Sequence, residues 1–480
     1  MASTSASSVP HISSFINGKF LTGSGQTSLS INPAHPEQTV ATVEWCGKSA
    51  VTDAAEAAAA AQKSWANLPG PARAEFLYKW AEQIQARSAE IGIAVAQEVG
   101  KPIGEAKGEV GRCIAILRYY AGEAVRQTGH VIPALAGGAL QYSVQVPLGV
   151  VGLITPWNFP IAIPLWKAAP ALACGNTVVL KPAETAPLCA ILLAETAKAA
   201  GLPNGVFNVL LGDGVELGAE LLGCALIRGV SFTGSSRVGA IVAERSAARN
   251  IKYQTEMGGK NAGIVLADAD LKQAAGLVAG GAMRFAGQKC TATSRVIVER
   301  SVLDAFQAEL ISAVEALRVT DPMEADCAVG PVITDLSQQR IQSAISGLPG
   351  SVYSGQVPSE GFYVAPTIFR DVDPASDLAQ IELFGPVLAI LAADNFDHAI
   401  EIANGVPYGL SAALYTKNIP LALQYANRIE AGLVRVNGDT TGVDPHAPFG
   451  GVKASSSGTR EQGTAAKEFY TETKTVQINP

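Results

Sequence analysis

The sequence predicts an α/β protein built on two doubly wound parallel sheets. Three observations carry this prediction. At 480 residues the chain is too long for one hydrophobic core, so two or more domains are expected. Hydrophobic residues make up 48 % and charged residues 16 %, a balance that suits large buried sheets. Continuous apolar strands alternate with helical segments twice along the chain, as in parallel sheets covered on both faces.

The elements follow in order. The opening MASTSASSVPH is small and polar, without a basic region or an apolar run. It reads as a short disordered arm, not a secretory signal. Residues 51–128 read as helices. "TDAAEAAAAAQKSWANL" carries an early aspartate and many alanines, and "EFLYKWAEQIQARSAEIGIAVAQEVG" spaces its apolar residues by three and four and ends in glycine. "GEVGRCIAILRYYAGEAVRQTG" does the same. Near residue 140 the period changes: "LQYSVQVP" alternates and reads as a strand with one wet face. The first alternation then pairs "GVVGLIT" with "PIAIPLWKAAPALACG", "TVVLKPA" with "LCAILLAETAKAAG", "GVFNVLLG" with "GVELGAELLG", and "GVSFTGS" with "SRVGAIVAERSAAR". A second begins after residue 258 with "NAGIVLAD", the long helix "LKQAAGLVAGGAMRFA" and the strand "SRVIVE".

Composition excludes several functions. The net charge of −7 speaks against nucleic acid or an anionic membrane as partner. Apolar runs are broken by Gly, Asn or Pro before they reach spanning length, so a soluble, cytoplasmic protein is expected. The seven cysteines are scattered without a CxxC, and the five histidines are dispersed. A disulfide framework, a metal site and a Ser-His-Asp relay all lose support.

What remains is a set of polar residues at strand ends. Cys290 lies in "RFAGQKCTAT" between a helix and a strand. A free thiol titrates near about 8.5, so it needs help to act as a thiolate at neutral pH. Gly287 permits a tight turn and Lys289 brings positive charge; the alternative is an inert buried thiol. Glu256, in "QTEMGGKN", is placed as a general base for water or as a surface carboxylate. Asn158, in "TPWNFP", is placed to donate to an oxyanion or to cap the next helix. In "FTGSSRVG", Gly234 and Ser235 open a helix where a pyrophosphate could bind. In "LKPAE", Lys181 and Glu184 stand at a strand's carboxyl end, where ligands of doubly wound sheets bind.

Taken together, "TPWNFP", "LKPAE", "FTGSSRVG", "EMGGKN", "GQKC", "ELFGP" and "APFGGVKASSSGTREQG" resemble the aldehyde dehydrogenase superfamily, in family order over about residues 12–478. The resemblance implies Cys290 as nucleophile, Glu256 as deacylation base, and Asn158 with the Cys290 backbone N–H as oxyanion hole. It implies Ile154, Thr155, Trp157, Lys181, Glu184, Gly234, Ser235, Glu382 and Phe384 as contacts of NAD or NADP, and Lys167 with Glu461 as further catalytic residues, a buried pair behind the base that could relay its proton. It also implies three parts: a cofactor domain (1–128 and 148–258), a catalytic domain (259–452) and a β oligomerisation arm (129–147 and 453–480), with a homodimer or homotetramer as assembly. Within the superfamily, "CIAILRYYAGEAVRQTG" and "GQKCTATSRVIVE" are most similar to the α-ketoglutarate semialdehyde (2,5-dioxovalerate) dehydrogenase branch. A carboxylated aldehyde is then the expected small-molecule substrate. Arg284 is the candidate to read its carboxylate, with Phe159, Ile163, Trp166 and Leu117 as candidate walls. Glu184 favours NAD, because a carboxylate there repels a 2′-phosphate. A CoA-acylating relative, a non-catalytic structural member and a cysteine hydrolase without nicotinamide are the alternatives.

Overall fold

The computed structural model describes residues 9–21, 26–126 and 128–480. Of the polar arm expected over residues 1–11, residues 1–8 lie outside them. Its last residue corrects the expectation: His11 opens the strand His11–Ser13, which pairs in parallel with His35–Glu44. The pairing satisfies backbone groups that a disordered arm would leave to water.

The first large sheet has eight strands. Five are parallel, in the order Lys252–Glu256, Ile227–Thr233, Val150–Ile154, Thr177–Lys181 and Phe207–Val209. Ser456–Ser457 pairs antiparallel with one edge, and Phe15–Ile16 and Lys19–Phe20 extend the other. The central strand runs from Val150 to Ile154 between its two parallel neighbours, so the chain leaves the sheet in opposite directions on either side of it. Its apolar run is buried because helices cover both faces. One of these, Ala162–Ala173, is buried along its whole length. At Gly152 a Cβ would stand 2.4 Å from Leu221 Cδ2, so glycine lets the helix Gly214–Gly223 approach closely.

The region expected to be helical holds Ser49–Asn67, Gly70–Ala86, Ser88–Val99 and Ile103–Glu123. The long segment read as one helix breaks at Arg87, whose backbone leaves the helical region (φ −103°, ψ 17°). These helices share one core with the sheet: Trp80, Val95 and Leu117 lie in the same buried cluster as Val151, Leu153 and Leu180.

The second sheet has seven strands, six of them parallel, with Ala262–Val265 between Arg295–Glu299 and Ser411–Tyr415. It has its own core, around Phe306, Ile368 and Leu388. A third, antiparallel sheet of three strands pairs Leu140–Pro147 with Val131–Ile132 and with the tail Thr471–Ile478. No helix among the described residues is long and apolar enough to cross a membrane.

Candidate active site

The helix expected to run through Ala286 stops at Met283. Phe285, Ala286 and Gly287 then take left-handed backbone angles, with φ of 55°, 52° and 66°. Two non-glycine residues in that region carry strain unless their surroundings hold them. Phe285 and Ala286 are fully buried, and at Gly287 a Cβ would lie 2.4 Å from the Gly385 carbonyl oxygen. The Lys101 ammonium sits 4.7 Å from the Phe285 ring centre and 3.8 Å from that of Phe159. The turn redirects the chain so that the next residues face the first sheet.

Those residues are tied down from several directions. Gln288 Nε2 donates to the carbonyls of Phe285 and Pro331, and its Oε1 accepts from the Ile333 N–H. Asn261 Nδ2 donates to the carbonyls of Cys290 (2.8 Å) and Ala292 (2.9 Å). Thr440 Oγ1 donates to the Thr291 carbonyl at 2.6 Å. Nothing in the sequence marks Gln288, Asn261 or Thr440, since each is an unremarkable polar residue until the loop closes on it.

Cys290 lies in a cleft of about 340 Å³ between the two sheets. Trp157, Asn158, Thr233, Gly234 and Ser235 line it from one side, and Cys290, Glu382 and Phe384 from the other. Asn158 is 3 % exposed, and its Nδ2 donates to the Gln288 carbonyl at 3.0 Å. An amide nitrogen has two protons, so a second donor is left over for an oxygen near the thiol. Burial, then the Glu382 and Glu256 carboxylates, push the Cys290 thiol up to about 12, and the Thr291 backbone works the other way. Lys289 does not supply the expected help. Its ammonium is held 2.7 Å from Glu105 on the helix Ile103–Glu123.

Glu256 ends its strand at 1 % exposure, a buried carboxylate and not a surface one. Oε2 accepts from Ser456 Oγ at 2.6 Å, while Oε1 is buried without a partner. Burial first, then the Glu461 charge, raise its pKa well above the usual carboxylate range. Behind it the Lys167 ammonium pairs with Glu461 Oε1 and donates to Ser231 Oγ at 2.8 Å. Both partners of that pair are sealed from water.

Of the residues named for a dinucleotide, all but Glu382 and Phe384 stand at or just beyond the carboxyl ends of the first sheet; those two precede the strand Val387–Ala393 of the second. Ile154 is in register with Phe232 and Lys181 on the neighbouring strands, and the Thr155 N–H donates to the Lys181 carbonyl. Lys181 Nζ lies 3.1 Å from Glu184 Oε1, which also accepts from the Gly214 N–H. Ser235 caps the helix Ser236–Ala248. Trp157 and Phe384 meet edge to face at 5.7 Å. Glu382 Oε1 accepts from the Gly259 N–H, and at Gly258 a Cβ would come within 1.9 Å of Glu382 Oε2. Burial raises Glu382 to about 7. The hydroxyls of Thr155 and Thr233 are buried without partners. Such a cleft, with free hydroxyls, a glycine-cradled carboxylate and an aromatic pair, fits a nicotinamide dinucleotide.

The candidate substrate residues divide. Trp166 is buried and stacks on Phe449 at 5.5 Å; Phe159 lies under Lys101; Ile163 lines the cleft, and Leu117 is packed in the core of the first sheet. Arg284 caps the end of the helix Leu271–Met283 and is exposed.

Comparison with known proteins agrees with this geometry. The model of the aldehyde dehydrogenase family matches residues 20–476. An α-ketoglutaric semialdehyde dehydrogenase of Bacillus subtilis is 44 % identical, over 97 % of this chain and 98 % of its own. An α-ketoglutarate semialdehyde dehydrogenase of Haloferax volcanii is 42 % identical, over 96 % and 98 %. Among solved structures, an NAD-dependent aldehyde dehydrogenase from Sinorhizobium meliloti superposes with a TM-score of 0.95 at 34 % identity, covering 98 % of this chain and 95 % of that one. Betaine aldehyde dehydrogenase from Staphylococcus aureus in complex with NAD⁺ superposes with a TM-score of 0.94 at 30 % identity, covering 97 % and 94 %. Sequence, fold and cleft therefore agree: the chain belongs to the aldehyde dehydrogenase family and is an NAD(P)-dependent aldehyde dehydrogenase.

Proposed function

We propose that the chain oxidises α-ketoglutarate semialdehyde to the corresponding dicarboxylate through a covalent intermediate on Cys290, with NAD as the preferred cofactor. The observation that carries the reading is the convergence, beside one cleft, of a thiol, a spare amide donor and a buried carboxylate with one unpartnered oxygen. Burial raises both the Cys290 thiol and the Glu256 carboxyl, and the Glu256 charge adds to the shift of the thiol. The thiol gives its proton to bulk water at the cleft, so that Glu256 stays free to act as base in the later step. The thiolate adds to the aldehyde carbon. Asn158 Nδ2 and a backbone N–H hold the resulting oxyanion, an effect typically worth about 3 kcal/mol per donor. The bound nicotinamide supplies a hydride acceptor. The thiohemiacetal on Cys290 becomes a thioester, and Glu256 then draws a proton from water as the water attacks the thioester.

The semialdehyde is suggested by the relatives from Bacillus subtilis and Haloferax volcanii. Glu184, already held by Lys181 and the Gly214 N–H, favours ribose hydroxyls over a 2′-phosphate. The presence of Glu256 speaks for water over CoA as the acyl acceptor, and turnover without CoA is expected. The three-stranded sheet leaves Val131, Leu140 and Ile478 exposed, which suits a homodimer or a dimer of dimers. Cysteines that are all free among the described residues suit the cytoplasm.

The test is pre-steady-state kinetics on Glu256→Gln. The variant is expected to release one equivalent of reduced cofactor per site and then stall, with steady turnover down about 10²–10⁴-fold. Loss of the first equivalent as well would refute the role given to Glu256.

A further inference from the structure

Three buried nitrogen atoms near the helix Ala162–Ala173 have no acceptor: Arg112 Nε, Gln462 Nε2 and Trp166 Nε1. Gln462 and Trp166 are 1 % and 6 % exposed, so water does not readily serve them. The three share one neighbourhood. Arg112 Nη2 donates to Gln462 Oε1 at 3.4 Å. Gln462 follows Glu461, whose backbone pairs in both directions with Phe449, and Trp166 stacks on Phe449. Phe449 belongs with Leu410, Leu433 and Val443 to the apolar cluster against which Cys290 packs. A chain of packed side chains thus leads from the thiol, over Phe449, to the orphaned donors. Phe449, Trp166, Arg112 and Gln462 lie outside the lining of the cofactor cleft.

The donors call for an anion. A guanidinium and an amide have N–H groups to give, and an indole has only a donor. Arg112 is half-buried, yet no carboxylate among the described residues pairs with it. Asp444 and Glu109 act on it only at longer range, and burial lowers its pKa. A charge withdrawn from water without a partner is stabilised when a carboxylate docks on it. Arg284, by contrast, is exposed.

We propose that Arg112, supported by the Gln462 amide and the Trp166 indole, receives the distal carboxylate of the substrate while its aldehyde carbon lies at Cys290 Sγ. This rests on the semialdehyde reading above and names the residue that enforces it.

The experiment compares glutaric semialdehyde with pentanal, the aldehyde of equal length that lacks the carboxylate. The kcat/KM ratio of the two is measured for the wild type, Arg112→Gln, Arg112→Lys and Arg284→Gln. In Arg112→Gln the ratio is expected to fall about 100-fold, mainly through KM, as for loss of a hydrogen-bonded charge contact. Arg112→Lys, which keeps the charge, is expected to hold an intermediate ratio. Equal losses on both aldehydes, or a ratio that follows Arg284→Gln instead, overturn the proposal. An unchanged ratio in Arg112→Gln overturns it while leaving the semialdehyde reading intact. A wild-type ratio near one sinks the semialdehyde reading and this assignment together. Should turnover of Arg112→Gln fall too low to compare, glutarate protection of Cys290 against iodoacetamide reads the same contact. That protection is expected in the wild type and not in the variant; protection of both overturns the proposal.

Discussion

Two lysine–glutamate pairs stand close to the first sheet, and they differ in their access to water. Lys167 and Glu461 are 0 % and 2 % exposed, and their neighbours Ser231 and Gln254 are buried too. Lys181 is 4 % exposed, but Glu184 is 38 % exposed at the strand's carboxyl end. The sealed pair cannot exchange partners, so it acts as a fixed charge arrangement behind Glu256. The open pair can trade its internal contact for a ligand. Equal chemistry is thus locked in one place and open to a ligand in the other, and the water decides which.

The largest expected effect comes from breaking the sealed pair on one side. Lys167→Met leaves the Glu461 carboxylate buried and unpaired, at a cost of about 3–5 kcal/mol in urea unfolding. The double variant Lys167→Met with Glu461→Leu is expected to recover most of that loss. A single variant as stable as the wild type would show that the pair is no scaffold.

The next effect is on pH. Glu461 raises the Glu256 pKa, and Glu256 must be ionised to take a proton. With Glu256 as the proposed base, deacylation is expected to fall away as pH drops through the raised Glu256 value. Glu461→Gln removes the like charge and frees the Lys167 ammonium, both of which favour the ionised base. The acid limb of kcat is expected to move to lower pH, and an immobile limb would detach the sealed pair from the base.

The smallest effect on stability belongs to the open pair. Glu184→Gln is expected to change the unfolding free energy by no more than about 1 kcal/mol, given its exposure. Its signature is elsewhere: KM for NAD rises and the preference for NAD over NADP shrinks. Unaltered cofactor kinetics would reduce Glu184 to a loop contact.

Much of the fold is legible along the chain because parallel strands buried on both faces must be continuously apolar. "VVGLI" and "TVVLK" announce themselves in that way. The break at Arg87 and the left-handed turn at Phe285–Ala286 are not announced. Both sit inside sequences with good helical spacing, and distant groups such as Lys101 and the Gly385 carbonyl help to define the turn. The same holds for charge. Lys289 stands next to Cys290 in the chain, yet it pairs with Glu105 and is not among the main groups that shift the thiol.

The sequence by itself determined which chemistry is available: one cysteine among polar neighbours, a carboxylate before paired glycines, and strand ends suited to a dinucleotide. Those are properties of residue type and local period, and they survive unfolding. The tertiary structure alone decided the electrostatics. Burial raises Glu256 and Cys290 together, Lys167 is spent on Glu461, and Arg112 is left without an anion. Each depends on how much water remains and which charge lies opposite, and these are set by segments far apart in the chain.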